Sequence, residues 1–361
     1  MKFKGKVLLA VFLVSALMVA SASHAATQKQ PILVALWGGS FLKAYQWAAS
    51  KFTEETGIPV EFELHTPGHV ATAQKIIMAF PKHEIDLVMC VPGTGGILAF
   101  SAGKKKVAAV IAEDDVPNLK AVPKQFKSGG LVPGETDKYY WLPLYNTFMG
   151  WVYRPDLVKG TVNSLQELFD KKYEKKIAVP YVGYGSGAFL VSMAVAAGGN
   201  EKNIDSGFKG AKKLAQTGNI AYVYTTEAEC TRGVSTGDVS VFFGGYYNAY
   251  SLLKEKLPLQ AINNPTDHKV MGVAITMSPI NGPQLSETKR FMNFILRPDV
   301  QSGLSGKMFQ IPVHPDAEPD ASLKPLVPDS DNVYMMDVET AKKQIETWTK
   351  RWEKEVLPLI K

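Results

Sequence analysis

The sequence predicts an α/β fold built from parallel βαβ units. Three observations predict it. Short apolar runs alternate with segments of helical period along most of the 361 residues. Four of those runs lead through a Gly, Ser or Thr turn directly into a helix. Two longer apolar stretches, 142–153 and 270–277, have no helical period and read as extended chain.

The first unit is the buried strand 31–36, the turn Trp37-Gly38-Gly39-Ser40-Phe41 and a helix over 39–56. Phe41, Tyr45, Ala48 and Phe52 share one helical face, Gly57 is placed to end the helix, and Pro59 prevents its continuation. Residues 60–64 alternate Val, Glu, Phe, Glu, Leu, the pattern of a half-buried strand. A helix follows over 71–80. The second unit is the strand 85–91, apolar except for Asp86, then Pro92-Gly93-Thr94-Gly95-Gly96 and a helix over 97–102. The third joins 176–180 through Tyr181-Val182-Gly183-Tyr184-Gly185-Ser186-Gly187 to a small-residue helix over 188–197. The fourth joins 220–224 through Thr225-Thr226 to a helix starting at Glu227. A strand over 239–243 ends at Gly244-Gly245-Tyr246-Tyr247, and 283–296 is helical. Val338, Ala341, Ile345, Trp348, Trp352 and Val356 step by three or four and mark a long amphipathic helix packed on the body.

Composition, 46% hydrophobic and 20% charged, is that of a globular protein, and the length suits two domains of roughly 150 residues each. Residues 1–25 read as a signal peptide. Lys2, Lys4 and Lys6 precede an apolar stretch over 7–20, and Ser23-His24-Ala25 places cleavage before Ala26. No later run is long enough to span a bilayer, so an exported protein is expected. Formal net charge is +6, and three of those charges lie in the leader, which holds no acid; 6 − 3 leaves +3. That mild excess, with Lys104-Lys105-Lys106 as a solvated loop, gives no nucleic-acid footprint. Cys90 and Cys230 are too few and too distant for a disulfide framework and read as separate buried thiols.

The strand–turn–helix units carry the chemistry. The first N–H groups of a helix lack internal partners and the helix dipole is positive there, which suits a carboxylate or phosphate group. Enzyme chemistry is not indicated. Ser186 lacks the G-x-S-x-G spacing of a nucleophile elbow, and no His is placed to serve it. His65 and His69 are four apart, but Pro67-Gly68 forbids one helix through both, so they read as exposed loop histidines. No catalytic residue, metal site or cofactor is therefore expected.

Several stretches together resemble the periplasmic solute-binding proteins of ABC importers, in the branch of polyamine, ferric-ion and thiamine binders. They are Trp37-Gly38-Gly39-Ser40-Phe41, the segment 51–60, Ile85-Asp86-Leu87-Val88, Trp141-Leu142-Pro143 with Gly150-Trp151-Val152-Tyr153, and the segment 289–301. The resemblance implies a type 2 periplasmic binding fold, with two lobes, two crossing strands and a ligand cleft between the lobes. Lobe one would be 26–147 plus 275–320, lobe two 148–274, and 321–361 a C-terminal segment with its helix on the body. It also implies periplasmic location, a monomer, a small-molecule ligand buried by hinge closure, and an inner-membrane ABC permease as partner. The residues expected in the cleft are Trp37, Gly39, Ser40, Thr94, Gly95, Tyr184, Gly185, Ser186, Thr225, Thr226, Tyr246 and Tyr247.

Several ligand readings compete. The pair Tyr246-Tyr247 resembles the phenolate pair of ferric binders, although Ser40-Phe41 stands where those often place a His. Trp37 resembles an aromatic of the polyamine binders, but 183–187 contains no acid for an ammonium group and Met271-Gly272-Val273 is apolar where an acid is expected. A thiamine-like cation is a further alternative. A small carboxylate or phosphonate suits the N–H-rich turns best. Arg232 reads as a solvated surface residue. A sensor for a membrane receptor is a rival role in the same fold, and an exported hydrolase a rival of another class.

Overall fold

The computed structural model describes residues 29–66, 68–100 and 105–360. The leader assigned to residues 1–25, and Lys104, lie outside the described residues. The chain opens with β1 (Ile32–Leu36), α1 (Ser40–Thr56), β2 (Val60–Leu64), α2 (His69–Ala79), β3 (Leu87–Cys90) and α3 (Pro92–Phe100). The apolar face of α1 is buried as its period requires, and Phe52 meets Phe291 and Phe294 edge-on, with centroids 5.1 and 5.4 Å away. The helix stops at Gly57, whose N–H bonds the Thr53 carbonyl. Asp86 is a structural acid: its carboxylate accepts the Leu33 N–H at 2.9 Å and ties the start of β3 to β1.

One difference from expectation lies at the Gly-rich stretch after β3. No turn separates strand from helix there, because α3 begins at Pro92. Proline at a first helical position has its φ preset and needs no N–H partner, so the helix starts at once. Thr94 and Gly95 are thus helical and buried. Helix α2, which follows the edge strand β2, also starts early, at His69.

A short two-stranded sheet, β4 (Ile111–Ala112) with β5 (Lys138–Tyr139), flanks α4 (Lys124–Lys127). The long strand β6 (Leu142–Tyr153) then leads to β7 (Ile177–Pro180), α5 (Ala188–Ala196), α6 (Asp205–Gln216), β8 (Ile220–Tyr224) and α7 (Glu227–Thr236). Next come β9 (Val241–Gly245), α8 (Tyr246–Lys254), β10 (Gln260–Ala261), β11 (Val270–Pro279), α9 (Leu285–Ile295) and α10 (Pro298–Ser305). The chain closes with β12 (Val333–Met335) and α11 (Val338–Glu355).

The main sheet has the order β2-β1-β3-β11-β6-β9-β7-β8, with β12 beside β11 and β10 beside β6. The parallel strands lie at its two ends: β2, β1 and β3 in one lobe, β9, β7 and β8 in the other. The antiparallel pair β6 and β11 joins them. Thr276 to Pro279 of β11 pair with β3, while Met149 to Tyr153 of β6 pair with β9. The two apolar stretches without helical period are thus the strands that cross between lobes.

Each lobe has its own core. One packs β1, α1 and α9; the other is centred on Trp151, Phe189 and Phe243. Helix α11 belongs to the second, where Trp352 meets Phe189 edge-on at 5.9 Å. Gly187 makes room for it. A Cβ there would come within 2.8 Å of the Trp348 ring, and its φ of +81° is one that L side chains rarely adopt.

Candidate functional site

The carboxyl ends of β1, β2, β3, β8 and β9 converge where the two lobes meet. In the first lobe, Trp37 follows β1 and its ring is enclosed edge-on by Phe41, His65 and His69, with centroids at 5.1, 5.3 and 5.7 Å. His65 leaves the end of β2, and His69 opens α2. The two are partly buried and lie beside the cleft, contrary to the expectation of exposed loop histidines. His65 Nε2 lies 2.9 Å from the Met89 carbonyl, which only accepts, so Nε2 carries the ring proton. His69 Nδ1 lies 2.6 Å from the Thr94 hydroxyl. Burial lowers the pKa of both histidines; for His69 the charges of His65 and Lys342 lower it further. Both rings are therefore neutral at pH 7. Helix α1 has Gly39 as N-cap without a side-chain cap, so its first N–H groups and the Ser40 hydroxyl are exposed beside Trp37.

In the second lobe Tyr246 and Tyr247 diverge at the start of α8. Tyr246 is fully buried against Phe148 and Gly150, and its hydroxyl has no hydrogen-bond partner. Tyr247 faces the cleft. Its hydroxyl lies 2.5 Å from that of Tyr184, which also accepts from Asn248 Nδ2 at 3.4 Å. Burial raises the Tyr247 phenol pKa, and the hydroxyl of Tyr184 and the carboxylate of Glu227 push it further up. The expected tyrosine pair thus presents one phenol to the cleft, not two.

The remaining turns are engaged internally. Thr226 caps α7 and its hydroxyl accepts from Glu229 N–H, while Glu229 returns bonds to the N–H groups of Thr225 and Thr226. Gly185 and Ser186 have left-handed φ of 58° and 57° and sit next to the turn that α11 covers, apart from the cavity lining. Gly95 packs against Trp141 and Ser278. Arg232 is solvent-exposed, as expected.

The cleft itself is a cavity of about 820 Å³. Tyr145, Thr147 and Ile275 of the crossing strands form its floor. Trp37, Ser40, Phe41 and His69 line one side; Glu227, Tyr247, Tyr250 and Lys254 line the other. Lys307 and Phe309, after α10, complete the rim. Of the expected residues, Trp37, Ser40 and Tyr247 line this cavity; Thr94 and Tyr184 stand behind it, bonded to His69 and Tyr247. His69, Glu227, Lys254 and Lys307 were not foreseen. Among the described residues no group of three or more His, Cys, Asp or Glu side chains is arranged to hold a metal.

A two-lobed α/β molecule with crossing strands holds a polar cleft at the carboxyl edges of its strands, the place where such sheets bind small ligands. The chain belongs to the bacterial extracellular solute-binding protein family, whose model matches residues 47–329. A Salmonella typhimurium protein named "Putative 2-aminoethylphosphonate-binding periplasmic protein" is 21% identical over 313 residues, covering 86% of this chain and 82% of that protein. Two crystal structures share the fold. An ABC transporter protein from Clostridium perfringens superposes with TM-score 0.73 at 17% identity, covering 90% of this chain and 99% of that one. The ferric iron-binding protein A of Mannheimia haemolytica, in an open conformation, gives 0.68 at 15%, covering 92% and 99%. The protein is thus a bacterial extracellular solute-binding protein, a binding protein and not an enzyme. No helix among the described residues is long and apolar enough to cross a membrane.

Proposed function

We propose that the protein captures a small solute bearing a phosphonate or carboxylate group and delivers it to its permease. The observation that carries this reading is the cleft lining. The uncapped start of α1 with Ser40, the cationic Lys254 and Lys307, and His69 all border one cavity. Donors and positive charge gathered at a helix start suit an anionic group. The name of the Salmonella relative supports the phosphonate form of the reading. Ferric ion suits the site less well, because Tyr246 lies in the core and burial holds the Tyr247 phenol protonated.

In this reading the lobes are 26–147 plus 275–320 and 148–274, with 321–361 as the C-terminal segment. They close about β6 and β11 as a monomer. The pairing of β11 with both β3 and β6 supports those boundaries.

Thermal-shift measurements on the exported form, followed by calorimetry, test the ligand class. The panel is 2-aminoethylphosphonate, small carboxylates, ferric ion, spermidine and thiamine. A solute at 100 times its Kd adds about 2.7 kcal/mol, a shift of several degrees. Shifts confined to the acid-bearing solutes are expected. A shift with ferric ion or thiamine alone overturns the reading.

A further inference from the structure

We propose that Glu227 makes the cleft selective for solutes that carry an ammonium group as well as an acid group. This rests on the acid-bearing reading above. Among the described residues Glu227 is the single carboxylate in the cavity lining. A carboxylate there opposes an anionic solute, since like charges close together repel. A solute that brings a positive charge to this carboxylate turns that opposition into attraction.

The surroundings support that role. Glu227 is the first residue of α7, placed beside the cleft by the Thr226 cap. Glu227 is exposed at the cavity edge, so its carboxylate lone pairs face the cleft as acceptors. Beside it the Tyr247 hydroxyl lies 2.5 Å from that of Tyr184, which accepts from Asn248 Nδ2. Trp37 and Tyr247 add aromatic surface on which an ammonium group is favourable. The cationic pole lies further along the same wall. Lys254 follows Tyr247 by two turns of α8, about 10 Å along the helix axis. Opposite charges are thus separated along one cavity, as the two ends of a zwitterion require. A polycation is disfavoured by the two lysines, and a simple anion by Glu227.

Calorimetry on the exported form compares 2-aminoethylphosphonate with ethylphosphonate, which lacks the amine, and adds spermidine. Wild type and Glu227→Gln are both titrated. Glu227 is exposed and the capping pair Thr226 and Glu229 is untouched, so the variant keeps its fold; an unchanged melting temperature checks this. The expected result is that wild type prefers the amino compound at least 30-fold. Glu227→Gln then loses most of that preference and binds ethylphosphonate no more weakly than wild type. Equal binding of the two phosphonates by wild type overturns amine selection and leaves the acid-bearing reading standing. So does a loss in Glu227→Gln that is the same for both. Binding of spermidine alone, lost in Glu227→Gln, overturns the acid-bearing reading and with it the zwitterion. Silence with all three probes overturns both.

Discussion

The imidazole of His69 is held by the hydroxyl of Thr94, 2.6 Å from Nδ1, and that bond joins the start of α2 to the first turn of α3. Thr94 is 1% exposed, so its hydroxyl acts on the cleft only through His69. Thr94→Val keeps the shape and removes the bond. A hydrogen bond of about 1 kcal/mol corresponds to a several-fold loss of affinity. Calorimetry with the cognate solute should show that loss, with a melting temperature lowered by only a few degrees. Full affinity in the variant would remove the His69–Thr94 pair from the site.

The adjacent tyrosines of α8 should separate cleanly. Tyr246→Phe removes a buried hydroxyl without a partner, so stability should stay equal or rise by up to about 1 kcal/mol, with binding retained. Tyr247→Phe breaks the bond to Tyr184 and removes a phenol from the cleft, and should weaken binding by roughly tenfold. Titration of both variants checks this, and a reversed order would place the wrong tyrosine in the cleft.

Gly187→Ala should destabilise strongly. It forces a side chain into left-handed backbone and against Trp348, at a cost of about 1–2 kcal/mol for the backbone and a further 1–3 for overpacking. Gly198→Ala, with φ +75° and open space around it, should cost only the backbone part. Thermal unfolding of the two variants side by side measures the difference.

Mild acid should destabilise the protein through its buried histidines. His65, His69 and His268 each have a folded pKa lowered mainly by burial, in His268 despite the neighbouring Asp267. Between the folded value and the unfolded one near 6.5, the unfolded chain binds more protons, so stability rises with pH through that window. It is therefore complete above about pH 7 and declines as pH falls below about 6.5. Melting temperatures measured from pH 8 down to pH 5 should show this, with a shallower slope in His69→Gln.

The thiols should be inert in the native protein. Cys90 and Cys230 are buried and unpaired, as the sequence suggests, and burial pushes their pKa values up to about 11 and about 12. Iodoacetamide at pH 8 should label neither until denaturant is added. Rapid native labelling would mean that one lobe opens locally.

The two extended strands and the parallel units at each end were legible from period, whereas the family and the crossing role rest on the stretches that resemble known solute-binding proteins. Trp37 and Ser40 were legible too, since a turn after a buried strand exposes its residues at the sheet edge. Other parts of the site depend on rotation about a helix axis. Tyr246 and Tyr247 are neighbours in sequence, and successive helical side chains point about 100° apart, so only one faces the cleft. Nothing local says which. Two signals were readable but given other meanings. Thr226-Glu227-Ala228-Glu229 is a capping box, which engages Thr225 and Thr226 and leaves Glu227 at the first helical position. Pro92 starts α3 at once and buries Thr94. Four-residue spacing speaks only to a pair on one helix, whereas His65 and His69 meet around Trp37 from the end of a strand and the start of a helix.

The place of β11 also bears on how the chain is made. Thr276 bonds the Cys90 carbonyl across 186 residues, so the middle of the sheet is completed by a strand synthesised late. Until β11 emerges, β3 and β6 each keep an unpaired edge. Long-range pairing of this kind slows folding, and open edges invite contacts between chains. A nascent chain ending before residue 270 holds most of the cleft residues but lacks the strand that joins the two halves of the sheet. Binding competence therefore arrives in one late step, after most of the polypeptide has already been made.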